Sequence, residues 1–187
     1  ASVGAITRDD LVRFKATWLR PDNATIFVVG DTSVAAITPV LERAFRHAVA
    51  VLSRDPSAAP AHLFVGGIGL GAQVAVRAAA TRLRVDGVFA LGYPLHARDE
   101  PTKHVRAEPL YRLVAPILFV QGSRDRNCDL DTLRRTLTRV GVPKTLHVIP
   151  EADNMLAVPR RSGRPAEDVH QETLEAVDVW MRSVLGA

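Results

Sequence analysis

The sequence predicts an α/β protein, a parallel sheet of about five strands flanked by helices. Three observations predict it. Short β-rich runs alternate with segments of helical period along most of the chain. Thr25 to Val29 is apolar and β-branched, as a strand buried on both faces is. The stretch His62-Leu63-Phe64-Val65-Gly66-Gly67-Ile68-Gly69-Leu70-Gly71-Ala72 reads as a strand, a glycine turn and a helix start.

The elements follow in order. Thr7 to Leu19 reads as a helix, with Thr7 as N-cap and Asp10 completing a variant capping box. Pro21-Asp22-Asn23 is a turn, Ala24 to Val29 a strand, and Gly30-Asp31-Thr32-Ser33 a second turn. A helix is expected over Val34 to Phe45, blemished by Pro39 and resuming over Ala48 to Leu52. Ser53 to Pro60 is a polar loop. Strands are then expected at His62 to Val65, Gly87 to Leu91, Pro116 to Gln121 and Lys144 to Ile149. The intervening helices are placed at Leu70 to Arg82, Val105 to Leu113 and Leu130 to Val140. After a long loop, Pro150 to Pro165, the last helix spans Ala166 to Leu185. Its apolar positions Val169, Val177, Trp180 and Val184 recur at helical spacing.

With 187 residues the chain suits a single domain, residues 1–187, large enough to bury a core. An apolar fraction of 47% with 24% charged residues is that of a soluble globular protein and argues against disorder. No apolar run approaches the roughly 18 residues that span a bilayer, and the first residues lack the basic and apolar regions of a signal peptide. The expected setting is cytoplasmic, with no membrane partner. Cys128 is the only cysteine, which excludes an internal disulfide and argues against a cysteine zinc site. The net charge of +4 rests on scattered arginines with few aromatics, a solvated surface rather than a nucleic-acid face. The expected partner is a small molecule or a protein, with a homo-oligomer as one outcome; no cofactor or metal is implied.

The chemistry centres on the glycine turn. A G-x-S-x-G nucleophile elbow lifts a serine above the sheet edge. Here the frame is Gly67-Ile68-Gly69-Leu70-Gly71, and glycine stands where the serine would be. The same turn fits a relaxed dinucleotide fingerprint, Gly67-x-Gly69-x-x-Ala72, but Asp86 precedes the next strand instead of ending it. A plain structural turn and an anion site at the helix start are the other readings.

From about Ala61 to Leu185 the chain resembles small α/β-hydrolases of the dienelactone-hydrolase type. The elbow frame and Leu91-Gly92-Tyr93-Pro94-Leu95-His96 carry the resemblance. So do Pro116-Ile117-Leu118-Phe119-Val120-Gln121-Gly122-Ser123-Arg124-Asp125 and Glu151-Ala152-Asp153-Asn154. The resemblance implies a truncated α/β-hydrolase fold. It makes Asp125 the remnant acid, Gly69 the lost nucleophile position and Asn154 the lost histidine position. The acid of a triad only orients its base, so loss of nucleophile and base together removes the acyl-enzyme route. The expectation is a degenerate triad and a non-catalytic binding or interaction module. The alternatives are a weak esterase with a relocated nucleophile, and a phosphate or dinucleotide binder at the Gly67–Gly71 turn. Gly67, Leu70 and His96 are the candidate ligand-binding residues.

Residues 5–46, with Ile6-Thr7-Arg8-Asp9-Asp10-Leu11 and Arg20-Pro21-Asp22-Asn23-Ala24-Thr25, resemble a fragment of a pitrilysin/insulinase-type metallopeptidase domain. The H-x-x-E-H zinc motif of that family is absent, so the resemblance implies a βα unit without peptidase chemistry and a chimaeric sequence. Other residues have competing uses. Asp125 also reads as a metal ligand with Asp129 and Asp131, or as a residue near a helix start. His96 follows a strand end, where ligands bind in open α/β sheets, or is a packing histidine. Cys128 is a substitute nucleophile only if a histidine reaches it. Ser123 and Ser162 are loop hydroxyls, and Arg160-Arg161-Ser162-Gly163-Arg164 is a solvated loop or an anion site.

Overall fold

The computed structural model describes residues 7–9, 33–54, 60–81, 83–101, 103 and 105–186. The helix expected from Thr7, beyond Asp9, and the strand expected at Ala24 to Val29 lie outside the described residues. The chain divides into two compact units, Ala1–Val34 and Ala35–Ala187; the elements below belong to the second, apart from the first residue of its leading helix.

The order is α1 (Val34–Leu52), β1 (Phe64–Ile68), α2 (Leu70–Ala79), β2 (Gly87–Leu91), α3 (Glu108–Tyr111), β3 (Ile117–Gly122), α4 (Leu130–Leu137), β4 (Lys144–Ile149) and α5 (Ala166–Leu185). The four described strands form one sheet in the order β1-β2-β3-β4, every pair parallel. The predicted fold class is the observed one. β3 is buried at all six positions, because apolar clusters cover it from both sides. One cluster joins Val76, Val88, Ile117, Phe119 and Leu133. The other joins Leu118, Val120 and Ile149 with Val169 and Trp180 of α5.

Three of the differences from the expected elements have a structural cause or bear on the site. α1 is one helix of 19 residues that runs through Pro39; the missing N–H falls in its second turn, and the remaining bonds carry the helix on. β1 continues past Val65 through Gly66 and Gly67, which pair with Phe89 and Ala90. A Cβ at Gly66 would lie 2.3 Å from the Phe89 ring, so the glycine makes room for a neighbouring aromatic. α3 is a single turn, with a proline near its start.

α1 is inverted. Thr38 and Glu42 are buried at 6% and 9% exposure, whereas Val40, Val51 and Leu52 stand 49%, 52% and 45% exposed. The buried carboxylate is paired, since Glu42 accepts a hydrogen bond from Arg77 of α2 and also faces Arg46 at 3.6 Å. A buried charge without such a partner would be costly.

Candidate functional site

Gly69 forms the corner between β1 and α2, with φ 56° and ψ −115°. L side chains are strained there. Among the described residues, a Cβ at Gly69 would meet no heavy atom within 4 Å, so they leave the space over the corner open. Gly67 serves a different need: a Cβ there would fall 2.6 Å from the carbonyl carbon of Gly71, so its absence lets the helix close onto the strand. The Gly69 N–H donates to the Leu91 carbonyl at 2.9 Å, tying the corner to the end of β2. Leu70 opens α2, whose N-terminus has no side-chain cap; its first N–H groups lack intrahelical partners.

The loop carrying Asn154 reaches the same edge. Asp153 Oδ1 accepts from the amides of Met155 at 2.8 Å and Ala157 at 3.0 Å. The Asp153 N–H donates to Ala157 and its carbonyl accepts from Leu156. This closed turn holds Leu156 at φ 60°. Gly92, itself at φ 52°, abuts the loop; a Cβ there would lie 2.1 Å from the Asn154 carbonyl oxygen. A Cβ on Gly122 would lie 2.3 Å from the Asp153 carbonyl oxygen. Two strand ends therefore need glycine so that the loop can sit on them. The ends of β1 and β2 and the Asn154 loop meet at the C-terminal edge of the sheet, and Asp125 follows β3 there. The side-chain amide of Asn154 has no hydrogen bond among the described residues.

Asp125 is buried and fully engaged. Gln121 Nε2 donates to its Oδ2 at 2.5 Å, and the Asn127 amide donates to its Oδ1 at 2.7 Å. Burial raises its pKa, more than these hydrogen bonds lower it. Gln121 is wholly buried on β3; its Oε1 accepts from the Tyr93 amide at 3.0 Å. One side chain thus links the loop after β2 to the acid after β3. The sequence reading quoted Gln121 without assigning it a role. Its signal was a lone amide ending an otherwise apolar strand.

His96 is 2% exposed. Its Nδ1–H donates to the Ala97 carbonyl at 2.7 Å, and its Nε2 accepts from the Asp129 amide at 2.7 Å. Both ring nitrogens are used, pinning the loop after β2 to the start of α4. Asp129 caps that helix through the Thr132 amide, and hydrogen bonds from Thr132, side chain then backbone, hold its carboxyl below the usual range. Asp131 pairs with Arg134 at 3.0 Å. Asp125, Asp129 and Asp131 thus have separate partners, and among the described residues no group of three His, Cys, Asp or Glu side chains is placed to hold a metal. They border a cleft of about 460 Å³ shared with His96, Ser123 and Cys128.

The candidate nucleophiles are not activated. Burial pushes the Cys128 thiol up, which keeps it protonated and unreactive. Ser123 Oγ accepts from the Glu151 amide at 2.8 Å, and Ser162 Oγ from the Arg164 amide at 3.3 Å. Arg160 and Arg161 lie exposed on a 3-10 turn that Gly163 closes at φ 71°. Asp86 accepts from the Leu63 amide at 2.6 Å, at the opposite end of the strands from the glycine turn.

A second polar group lies on the α5 side of the sheet. His147 of β4 is bonded through Nε2 to Glu172 Oε1 at 2.7 Å, and Arg164 donates to Glu172 Oε2 at 2.6 Å. The Arg164 guanidinium foremost holds the Glu172 carboxyl below its usual range. His147, Glu172, Thr145, Trp180 and Ser183 line a groove of about 350 Å³. No spacing in the sequence joins residues 25 apart on a strand and a helix.

A parallel sheet, a positive-φ corner before a helix, and the loops carrying Asp125 and Asn154 at the same sheet edge are those of an α/β-hydrolase-type domain. The sequence profile described as alpha/beta hydrolase domain matches residues 29–182, most of the chain, and the chain belongs to that family. The match starts well ahead of Ala61 and assigns residues 29–46, expected as part of a metallopeptidase-type fragment, to the same domain; nothing supports that resemblance. Solved structures agree on the fold. A dienelactone hydrolase from Anabaena variabilis is 22% identical with a TM-score of 0.51, over 65% of this chain and 53% of its own. The esterase domain of a Rhodothermus marinus protein is 16% identical, TM-score 0.57, over 76% and 68%. A monoacylglycerol lipase from Paleococcus ferrophilus is 18% identical, TM-score 0.56, over 83% and 77%. This chain thus spans about half the length of the dienelactone hydrolase. Among the described residues no helix is long and apolar enough to cross a membrane.

Proposed function

We propose that this domain is a degenerate member of the α/β-hydrolase family that binds a small molecule or a protein without triad catalysis. The observation that carries the reading is Gly69 in the open corner at φ 56°, ψ −115°. The backbone keeps the shape of a nucleophile elbow, and the position holds no nucleophile. Asn154, at the histidine position, has no basic nitrogen to accept a serine proton. Asp125 is committed to Gln121 and Asn127. Loss of a triad acting as a unit removes on the order of 10⁶ in rate. Turnover of short p-nitrophenyl esters tests this. The expected rate is indistinguishable from that of Asp125→Asn; turnover near 1 per second, the lower edge of ordinary enzymes, would overturn it.

One observation favours a second reading, a weak hydrolase with a relocated nucleophile. The groove beside α5 brings an imidazole bonded to a carboxylate, His147 and Glu172, together with the hydroxyls of Thr145 and Ser183. Ser183 Oγ donates to the Trp180 carbonyl at 2.7 Å, so it must turn from that bond to meet a base. Ester turnover abolished by His147→Ala and unchanged in Asp125→Asn would select this reading.

A further inference from the structure

The partners of the His96 imidazole fix its hydrogen-bonding roles. Nδ1 lies 2.7 Å from the Ala97 carbonyl, which can only accept. Nε2 lies 2.7 Å from the Asp129 N–H, which can only donate. The ring therefore carries its proton on Nδ1 and a lone pair on Nε2, which is the neutral form. A second proton has one place to go, Nε2, and there it ends the bond from Asp129. Two N–H groups would then face each other in a buried place, since His96 is 2% exposed. A buried donor left unpaired is costly, so the ring and the Asp129 amide must part.

Charged groups meet the ring from every element packed on it. Its own loop after β2 supplies the Asp99 carboxylate and the Arg106 guanidinium, which donates to the His96 carbonyl at 3.0 Å. The loop after β3 supplies Asp125 and the Cys128 thiol, and the start of α4 supplies Asp129. Arg124, Arg126, Asp131 and Arg134 line the rest of the cleft. Of these, Arg126 is paired with Asp99 and Arg134 with Asp131. The ring thus sits among carboxylates, with its one lone pair closed off by a backbone donor.

The bond from Asp129 lies on a seam. Cys128, the residue before Asp129, is 2% exposed and borders the cleft of about 460 Å³ together with His96. Backbone bonds hold the two loops together elsewhere. The His96 N–H donates to the Asn127 carbonyl at 3.0 Å, and the Asp99 N–H to the Arg126 carbonyl at 2.8 Å. Loss of the ring bond therefore opens the seam at Cys128 and leaves the loops joined.

We infer that His96 is an acid-released pin: neutral, it closes the seam between the loop after β2 and the start of α4, and protonated, it lets go of Asp129 and bares Cys128 to the cleft. The release is a local opening driven by one proton, not an unfolding of the domain.

Cys128 is the only cysteine, so its reaction with a pyridyl disulfide, a reagent that works in acid, reports the seam. The rate is taken relative to that of the urea-unfolded chain at the same pH, which cancels the thiol's own titration. From about pH 8 to about pH 5, the span over which an ordinary histidine charges, that ratio should rise about tenfold or more. His96→Gln offers the Asp129 amide an acceptor that does not titrate, and its ratio should stay flat. A flat ratio in the parent would overturn the proposal. So would a rise of the same size in His96→Gln, which would mark a general loosening in acid. Should the variant not fold, NMR reads the parent alone. The Asp129 amide proton should move upfield as His96 Nε2 gains its proton, the two with one midpoint. An Asp129 amide that keeps its shift while the ring titrates would overturn the proposal, as would a ring that stays neutral throughout that span.

Discussion

The corner at Gly69 and the corner around Asp125 sit on one sheet edge and are built in opposite ways. None of the described residues stands within 4 Å of a Cβ at Gly69, and α2 begins there without a side-chain cap. At the other corner, Asp125 is buried with both oxygens bonded, and Gly92 and Gly122 are pressed against the Asn154 loop. The Gly69 corner is a positive-φ turn with no side chain. At the other, Asp125 is held by Gln121, which in turn ties it to the loop after β2. A buried carboxylate with both oxygens bonded is costly to remove. The Gly69 corner should therefore tolerate change, and the Asp125 corner should not.

The largest contrast is expected between two glycines. Gly92→Ala forces a Cβ to 2.1 Å from the Asn154 carbonyl oxygen at a positive φ of 52°. It should cost more than about 3 kcal/mol, or leave no folded protein, because a backbone clash adds to the strain. Gly71→Ala meets nothing within 4 Å inside α2 and should stabilise by roughly 0.5 kcal/mol through helix propensity. Urea unfolding of both measures the difference; equal effects would break the comparison.

Next is the acid itself. Asp125→Ala strands the buried Gln121 amide and the Asn127 N–H, at about 2 to 4 kcal/mol for two unpaired donors. Asp125→Asn keeps the volume and an acceptor for Asn127 but sets an amide against the Gln121 amide, and should cost about half as much. The ionised form also has a pH signature. Burial raises the folded pKa of Asp125, so its titration favours the folded state below its unfolded pKa. That gain is lost as pH rises through the folded value. Between those two pH values the stability of the parent should fall relative to Asp125→Asn. A parallel pair of pH–stability curves would contradict this.

Smaller again is Gly69→Ala. The site is open, so only the left-handed strain counts, roughly 1 to 2 kcal/mol. The smallest effect belongs away from the edge. Glu172 has a lowered pKa, from Arg164 first and His147 after it. Its contribution is present above the unfolded pKa and is lost as pH falls through the folded value. Glu172→Gln should cost about 1 kcal/mol at neutral pH, being a partly exposed pair, and flatten the acid limb of the stability curve.

Much of this was legible in the sequence because it is local. α5 and β4 occupy the predicted residues, since strong helical period and short apolar runs declare themselves. Gly69 stands at a corner because a strand followed by glycines and a helix has few other shapes. What stayed hidden depends on distant partners. Gln121 matters through Tyr93 and Asp125, and the burial of Glu42 in α1 rests on Arg77, 35 residues beyond it. The end of β1 was misplaced because glycine reads as turn, while Gly66 was chosen to clear Phe89. His96 reads as a site residue by position, yet its ring serves Ala97 and Asp129.

The central claim is the proposed one, that no serine of this domain is activated by a base. Intact-mass measurement after saturating fluorophosphonate treatment tests it most directly, since such a probe adds covalently to any serine activated by a base. The parent should keep its unmodified mass. A stoichiometric adduct would contradict the claim, and peptide mapping of that adduct to Ser183 would move the active site to the groove beside α5.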